Sequence, residues 1–175
     1  PYTLSLHDAL LGQALPEWRG AEFPPHRELS GWGCLLAPLD PERHSADLWQ
    51  AFDADNGAMW TYLTCGPFAD EAAMGEWLRG ISLNADPQFY AIVDEASGKA
   101  LGLASYLRID PRAGSMEVGW LHFSPALQQS RLATAAMALM MDNAFALGYR
   151  RYEWKCNALN RPSWQAALRL GFHYE

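Results

Sequence analysis

The 175-residue chain has few cysteines, no run of basic residues and no long apolar segment. Its three cysteines, Cys34, Cys65 and Cys156, are odd in number and widely separated, which argues against a disulfide framework and against a cysteine zinc site. We therefore expect a reducing, cytoplasmic environment and no bound metal. No apolar run approaches the roughly 18 residues that a membrane span requires. Residues 1–11 also lack the basic and then apolar order of a signal peptide.

The charge balance narrows the class of partner. The formal net charge is −7, and lysine and arginine are not clustered anywhere. We therefore expect no nucleic-acid partner and no membrane partner, whereas a cationic or amine substrate is compatible with this balance. Half of the residues are hydrophobic, which is enough for the core of one α/β domain.

The pattern of apolar residues predicts a mixed sheet. Residues 1–30, rich in proline and turn-forming residues, are expected to form an arm over a domain that spans 31–175. The order predicted after the arm is a strand, two helices begun by Asp40 and Asp70, three strands (89–93, 101–109 and 116–123), a helix (131–147) and a strand (151–156). Short turns join the three strands into an antiparallel meander, while the last strand returns through a helix and lies parallel to its neighbour. The expected fold class is α/β, with helices on both faces of the sheet.

The stretch from Glu117 to Phe172 is the most informative part of the chain. A strand leads into the turn Gln-Gln-Ser-Arg-Leu-Ala-Thr (128–134), which opens a helix, and Asn-Arg-Pro-Ser (160–163) opens the next helix. The free N–H groups and the positive dipole end of such a helix favour phosphate. In this order of elements the chain resembles the GNAT superfamily of N-acetyltransferases, in the branch of ribosomal-protein N-terminal acetyltransferases.

That resemblance implies an acyl-CoA N-acyltransferase fold, acetyl-CoA as cosubstrate and a set of cofactor-binding residues. The turn and helix start would bind the pyrophosphate through Gln128, Arg131, Leu132, Ala133, Thr134 and Ala135. The strand before them would bind the pantetheine amides through Leu121, His122 and Phe123. Asn160 would bind the pantetheine arm, and Asn157 would be a further cofactor-binding residue. The resemblance also implies a further strand pair after residue 175, which we expect to be missing or supplied otherwise.

Arg131 departs from the pattern of the pyrophosphate-binding turn in the GNAT superfamily, which has glycine at this position. We expect its guanidinium to bind a CoA phosphate in place of the lost backbone approach. The alternative is a surface arginine at a helix start, where its charge would oppose the dipole.

Acetylation of an amine requires a base for the ammonium and an acid for the departing thiolate. Glu117, a carboxylate in an otherwise apolar strand, is the candidate base; the alternative is an ion pair near Arg112. His122 is the second candidate base. Strict alternation would place it on one face of the strand with Val118 and Trp120. By the resemblance, Ser163 would donate to the CoA sulfur, with capping of the helix as the alternative.

The sequence therefore predicts an N-acetyltransferase that acts on a primary amine by direct attack in a ternary complex. Trp60 and Tyr62 are expected to wall the acceptor cleft, with burial in the core as the alternative. The competing function is a non-catalytic acyl-CoA-binding protein of the same fold. Protein N-termini, polyamines, aminoglycosides and amino acids all stay open as acceptors, because fold and cofactor site do not specify the second substrate. A homodimer is also left open.

Overall fold

The computed structural model describes residues 16–174. The strands are β1 (Leu29–Gly31), β2 (Cys34–Pro38), β3 (Gln88–Asp94), β4 (Lys99–Asp110), β5 (Ser115–Phe123) and β6 (Arg151–Trp154). The helices are α1 (Pro41–Asp53), α2 (Glu71–Ser82), α3 (Arg131–Ala146) and α4 (Arg161–Arg169), with a 3-10 helix at Ala58–Tyr62. One sheet contains the six strands in chain order, antiparallel from β1 to β5 and parallel between β5 and β6. The mixed α/β fold expected from the sequence is thereby confirmed.

Side-chain caps determine where the helices begin. Asp40, Asp70 and Asn160 accept hydrogen bonds from N–H groups in the first turns of α1, α2 and α4, as their positions in the sequence predict. Ser130 does the same for α3, where its Oγ accepts from the N–H of Ala133 at 3.0 Å. The starts of α3 and α4 are therefore determined by residues that are close in the sequence.

Two hydrophobic cores lie on opposite faces of the sheet. One packs α3 against the sheet and includes Met137 and Met140, which are buried. The other packs α1 and α2 against the opposite face and includes Leu48, Met74 and Leu78, none of which is exposed. Helices thus cover both faces, and within the described part of the chain none of them is long and apolar enough to cross a membrane.

The described part of the N-terminal arm runs across the domain. The N–H groups of Ala21 and Glu22 donate to the carbonyls of Pro111 and Leu147 at 2.9 and 3.1 Å. Its last residues form β1, which pairs with β2. The arm therefore ends as an edge strand of the sheet, while residues 1–15 of the predicted arm lie outside the described residues.

A bulge in β5 makes the predicted alternation of this strand wrong. Val118 packs in the α3 core, but so do Leu121 and Phe123, whereas Trp120 packs in the α1/α2 core. Gly119 pairs with Ser105 and His122 pairs with Leu103, so two residues of β5 lie opposite one residue of β4. Trp120 takes a positive φ of 51° at this point. The extra residue reverses the faces beyond Gly119.

Candidate active site

A cleft opens where β5 and β6 separate. The two strands pair only from Ser115 opposite Arg151 to Val118 opposite Trp154. Beyond this point β5 continues to Phe123, whereas β6 ends. The resulting cleft has a volume of about 440 Å³. Six of the catalytic, cofactor-binding and substrate-binding residues predicted from the sequence line it: Tyr62, Glu117, Leu121, Asn157, Asn160 and Ser163.

Glu117 is buried in this cleft with two cationic partners. Its Oε2 lies 2.6 Å from Nη1 of Arg108 and 2.7 Å from Nζ of Lys155, and its side chain is 5% exposed. Lys155 also bonds Glu153, and the hydrogen bonds to Glu117 and Glu153 raise the pKa of the lysine. A buried carboxylate requires such partners. The ion pair that the sequence suggested near Arg112 is instead made by Arg108 and Lys155, which lie 9 and 38 residues from Glu117.

Ser163 is oriented by a tryptophan that the sequence did not connect with it. Nε1 of Trp154 donates to Oγ of Ser163 at 3.1 Å, and the N–H of Ser163 donates to Oδ1 of Asn160 at 3.3 Å. The indole occupies one acceptor position of the hydroxyl, so the hydroxyl keeps its own hydrogen to donate elsewhere. The amide nitrogen of Asn160 likewise remains free for donation after its oxygen caps α4. No spacing in the sequence signals the bond from Trp154.

His122 does not reach the cleft and is not a suitable base. Its side chain is fully buried, and burial lowers the pKa of the imidazole to about 4. Nδ1 lies 2.7 Å from the carbonyl of Trp120 and Nε2 lies 3.4 Å from Sγ of Cys65. Because burial raises the pKa of the Cys65 thiol to about 11, that thiol keeps its proton and donates to Nε2. The imidazole is therefore neutral and structural, and His122 can contribute to the cleft only through its main chain.

The two aromatic residues of the 3-10 helix have different roles. Trp60 is 8% exposed and packs edge-on against Phe52 and Phe68, with ring centroids 5.7 and 5.5 Å apart. The prediction that Trp60 walls the acceptor cleft is therefore wrong, because its ring completes the α1/α2 core. Tyr62 lines the cleft, and its hydroxyl donates to the carbonyl of Leu159 at 3.0 Å. This bond joins the 3-10 helix to the loop between β6 and α4.

The start of α3 is a separate feature near the far end of β5. Arg131 is exposed, and no carboxylate among residues 16–174 forms an ion pair with it. The first-turn N–H groups of Arg131 and Leu132 have no intrahelical acceptor, whereas that of Ala133 is occupied by Ser130. Gln128 donates to the carbonyl of Phe123 at 2.8 Å and so ties the turn to β5.

The remaining turn residues have more limited roles. Thr134 is exposed and its hydroxyl lies 3.4 Å from the carbonyl of Ser130, while Ala133 and Ala135 are buried in the core beneath the helix start. The exposed cation and the two open N–H groups fit a diphosphate, with one N–H fewer than an uncapped helix start would offer. In the part of the chain that the structure describes, no three His, Cys, Asp or Glu side chains are arranged to hold a metal ion.

Comparison with known proteins agrees with this architecture. A family model described as an acetyltransferase (GNAT) domain matches residues 34–173. A GCN5-related N-acetyltransferase from Brucella melitensis is 37% identical with a TM-score of 0.89, and the match covers 92% of this chain and 74% of that one. A probable acetyltransferase of the GNAT family from Chromobacterium violaceum is 38% identical with a TM-score of 0.86, covering 100% and 85% of the two chains.

A ribosomal-protein acetyltransferase has the same fold at lower identity. The acetyl transferase from Salmonella typhimurium that modifies the N-terminal serine of a ribosomal protein is 19% identical with a TM-score of 0.66, covering 81% of each chain. No curated protein matches the sequence. The family model and the two more similar structures together show that the chain belongs to the GNAT family of acetyltransferases.

Proposed function

We propose that this protein transfers an acetyl group from acetyl-CoA to a primary amine by direct attack in a ternary complex. Membership of the GNAT family supports acetyl transfer in general and implies acetyl-CoA as the cosubstrate. The observation that carries the proposal is the separation of β5 from β6 beyond Val118, which opens a cleft beside Glu117 and Ser163. A cytoplasmic location without a nucleic-acid or membrane partner is part of the proposal, and the three free cysteines support it.

Acetyl-CoA would lie along β5 with its pyrophosphate at the start of α3. Arg131 and the open N–H groups of the first turn would bind the phosphates. The main chain of Leu121–Phe123 lies beyond the part of β5 that pairs with β6 and would bind the pantetheine amides. Asn157 and Asn160 line the cleft and would bind the pantetheine arm from the opposite side.

The chemistry assigned to the cleft requires one base and one acid. The amine nitrogen attacks the thioester carbonyl, the C–S bond breaks, and the proton lost from nitrogen passes to Glu117, directly or through water. The hydroxyl hydrogen of Ser163, which the bond from Trp154 leaves available, is donated to the departing thiolate. Water can replace this donor, because a thiolate is a tolerable leaving group.

The alternative is a protein of this fold that binds acyl-CoA but does not catalyse acetyl transfer. Arg131 in place of glycine and the capped N–H of Ala133 favour it, because both reduce the backbone approach to phosphate. Release of free CoA from acetyl-CoA with a panel of amines distinguishes the two functions. Steady release with at least one amine supports transfer, whereas binding without release supports the alternative.

The cofactor site is tested with Arg131→Ala. Loss of a charged hydrogen bond should weaken acetyl-CoA binding by ~1–3 kcal/mol, measured by calorimetry, and the difference from wild type should shrink at high salt. Arg43→Ala, which removes an exposed arginine on α1, is the matched control and should leave affinity unchanged. Folded wild-type protein that binds no CoA would rule out the proposed function. If Arg131→Ala binds acetyl-CoA with the wild-type affinity, Arg131 is an ordinary surface residue.

A further inference from the structure

A second bulge, in β4, turns Arg108 into the cleft. Tyr106 and Ile109 both pack in the α3 core although they are three residues apart, while Leu107 and Arg108 between them line the cleft. The pairing of β4 with β5 shifts register between Leu107 and Asp110. In regular alternation Arg108 would point towards the α3 face. The bulge therefore places a guanidinium in the cleft that the strand would otherwise direct elsewhere.

The backbone at Arg108 is held in a conformation that disfavours an arginine. Its φ is +48°, a region that glycine and asparagine adopt more readily than long side chains. The carboxylate of Asp86 stabilises this turn by accepting the N–H groups of Arg108 and Ile109 at 3.0 and 2.9 Å. Strained backbone that is held in place by a dedicated partner is characteristic of functional sites. An arginine at this position indicates a use for its side chain.

The lining of the cleft contains two cations and one carboxylate, although the protein as a whole is acidic. Its charged lining residues are Arg108, Lys155 and Glu117, which sum to +1, whereas the whole chain has a formal charge of −7. Glu117 and Glu153 both bind the ammonium of Lys155. Arg108 uses Nη1 for its bond to Glu117, and its side chain is 63% exposed. Since a guanidinium has five N–H donors, others remain available for a ligand.

We propose that the acceptor is a primary amine with a carboxylate a few bonds away, as in an amino acid or an acidic N-terminal residue, and that Arg108 binds this carboxylate. The inference rests on the proposed function and specifies its second substrate. The guanidinium can bind a carboxylate through two parallel N–H bonds, while the adjacent Glu117 receives the amine. Polyamines and aminoglycosides fit poorly, because the described lining offers them no carboxylate free of cationic partners. The cationic acceptor that the net charge suggested is thereby disfavoured.

The test compares pairs of acceptors in which a carboxylate is replaced by an amide. Acetylation rates are measured for L-alanine against L-alaninamide, and for an amidated peptide that begins with aspartate against one that begins with asparagine. Spermidine and kanamycin serve as polycations. We expect the acidic member of at least one pair to have a kcat/KM roughly 10-fold higher or more, the scale of a charged hydrogen bond. A preference within the alanine pair indicates a free amino acid as the acceptor, whereas a preference within the peptide pair indicates an acidic N-terminal residue.

Variants at Arg108 link the preference to this side chain. Arg108→Asn tolerates the positive φ and removes the charge, so it should lower kcat/KM for the acidic member roughly 10- to 100-fold more than for the amide member, which loses only the contribution of Arg108 to positioning Glu117. Arg108→Lys should retain part of the preference. Arg112→Asn, at an exposed arginine outside the cleft lining, is the matched control. The ratio within a pair is insensitive to general damage, because damage lowers both rates.

The outcomes separate this inference from the proposed function. If amines without a carboxylate are acetylated best, or if Arg108→Asn does not change the ratio, the inference is overturned and acetyl transfer stands. If nothing in the panel is acetylated, calorimetry measures binding of the same pairs to the CoA-saturated protein. Tighter binding of the acidic member that Arg108→Asn abolishes supports the inference while transfer fails. Equal binding of the two members overturns it.

Discussion

Glu117 shows how the partners of a single residue limit its chemistry. Its carboxylate binds Arg108 of β4 and Lys155 just after β6, at the point where β5 and β6 separate. One role for this arrangement is a base that two cations position. The other is a structural role, in which the ion pairs hold three strands together and Glu117 takes no part in the chemistry. The two roles differ in what the removal of one cation should do.

A comparison of Glu117→Gln with Lys155→Met separates these roles. If Glu117 is the base, Glu117→Gln should lower turnover by roughly 10²–10⁴-fold with CoA affinity nearly intact, because general-base assistance has this magnitude. Lys155→Met removes one cation but leaves the carboxylate and its bond to Arg108, so its loss should stay below roughly 10-fold. Steady-state rates and calorimetry provide both quantities. Equal losses of turnover in the two variants would show that the role of Glu117 is structural.

At the scale of elements, β5 determines where the cofactor can bind. It pairs with β4 on one side along most of its length, but with β6 on the other side only for Ser115–Val118. The bulge at Trp120 falls just past the last pair with β6. Residues 119–123 therefore have an open edge, and the turn after them leads directly into the capped start of α3.

Hydrogen exchange should detect the cofactor at these two segments. Binding of acetyl-CoA should slow amide exchange in residues 119–123 and 129–134, because open N–H groups acquire acceptors there. Residues 90–94 of β3, which pair on both sides within the sheet, are the internal control and should not change. Mass spectrometry of peptic peptides with and without acetyl-CoA measures the effect. Protection confined to other segments would contradict the placement along β5.

At the scale of the whole molecule, His122 connects the cleft strand to the α1/α2 core. Its ring lies among Phe52, Trp60 and Trp77, with ring centroids 6.1, 5.5 and 5.3 Å away. A neutral imidazole is accommodated in this apolar site, whereas a charged one would lose its hydration. The global stability of the fold should therefore depend on pH through this residue.

The free energy of unfolding should fall as the pH drops from about 6.5 to about 4. Burial lowers the pKa of His122 from 6.5 to about 4, so in this window the unfolded chain binds a proton that the folded protein does not. The full stabilisation is present above pH 6.5, and its loss is on the order of 3 kcal/mol by pH 4. Urea unfolding across this range measures the slope.

Two variants isolate the contribution of His122. His122→Gln should reduce the slope, while His173→Gln, at an exposed histidine, should leave it unchanged. Burial also lowers the pKa of His44, so some slope should persist in both proteins, and the difference between wild type and His122→Gln is the informative quantity. A His122→Gln variant with the wild-type slope would show that the imidazole does not resist protonation in the folded state.

The sequence by itself determined the features that depend on near neighbours. The caps at Asp40, Asp70 and Asn160 follow from short polar side chains that reach N–H groups two or three residues away. The order of strand, turn and helix around residues 117–134 follows from hydrophobic periodicity and indicated the family that the comparisons confirm. These signals come from residues that are close in the sequence, so the sequence alone is enough to predict them.

Only the tertiary structure decided which side chains meet in the cleft. The bulges at Trp120 and Arg108 arise from pairing with neighbouring strands, and each redirects side chains that strict alternation would place on the other face. Trp60 completes a core while Tyr62, two residues later, lines the cleft. Arg108 and Lys155 reach Glu117 from two other parts of the chain. Such contacts depend on the packing of distant segments, and no spacing within the sequence encodes that packing.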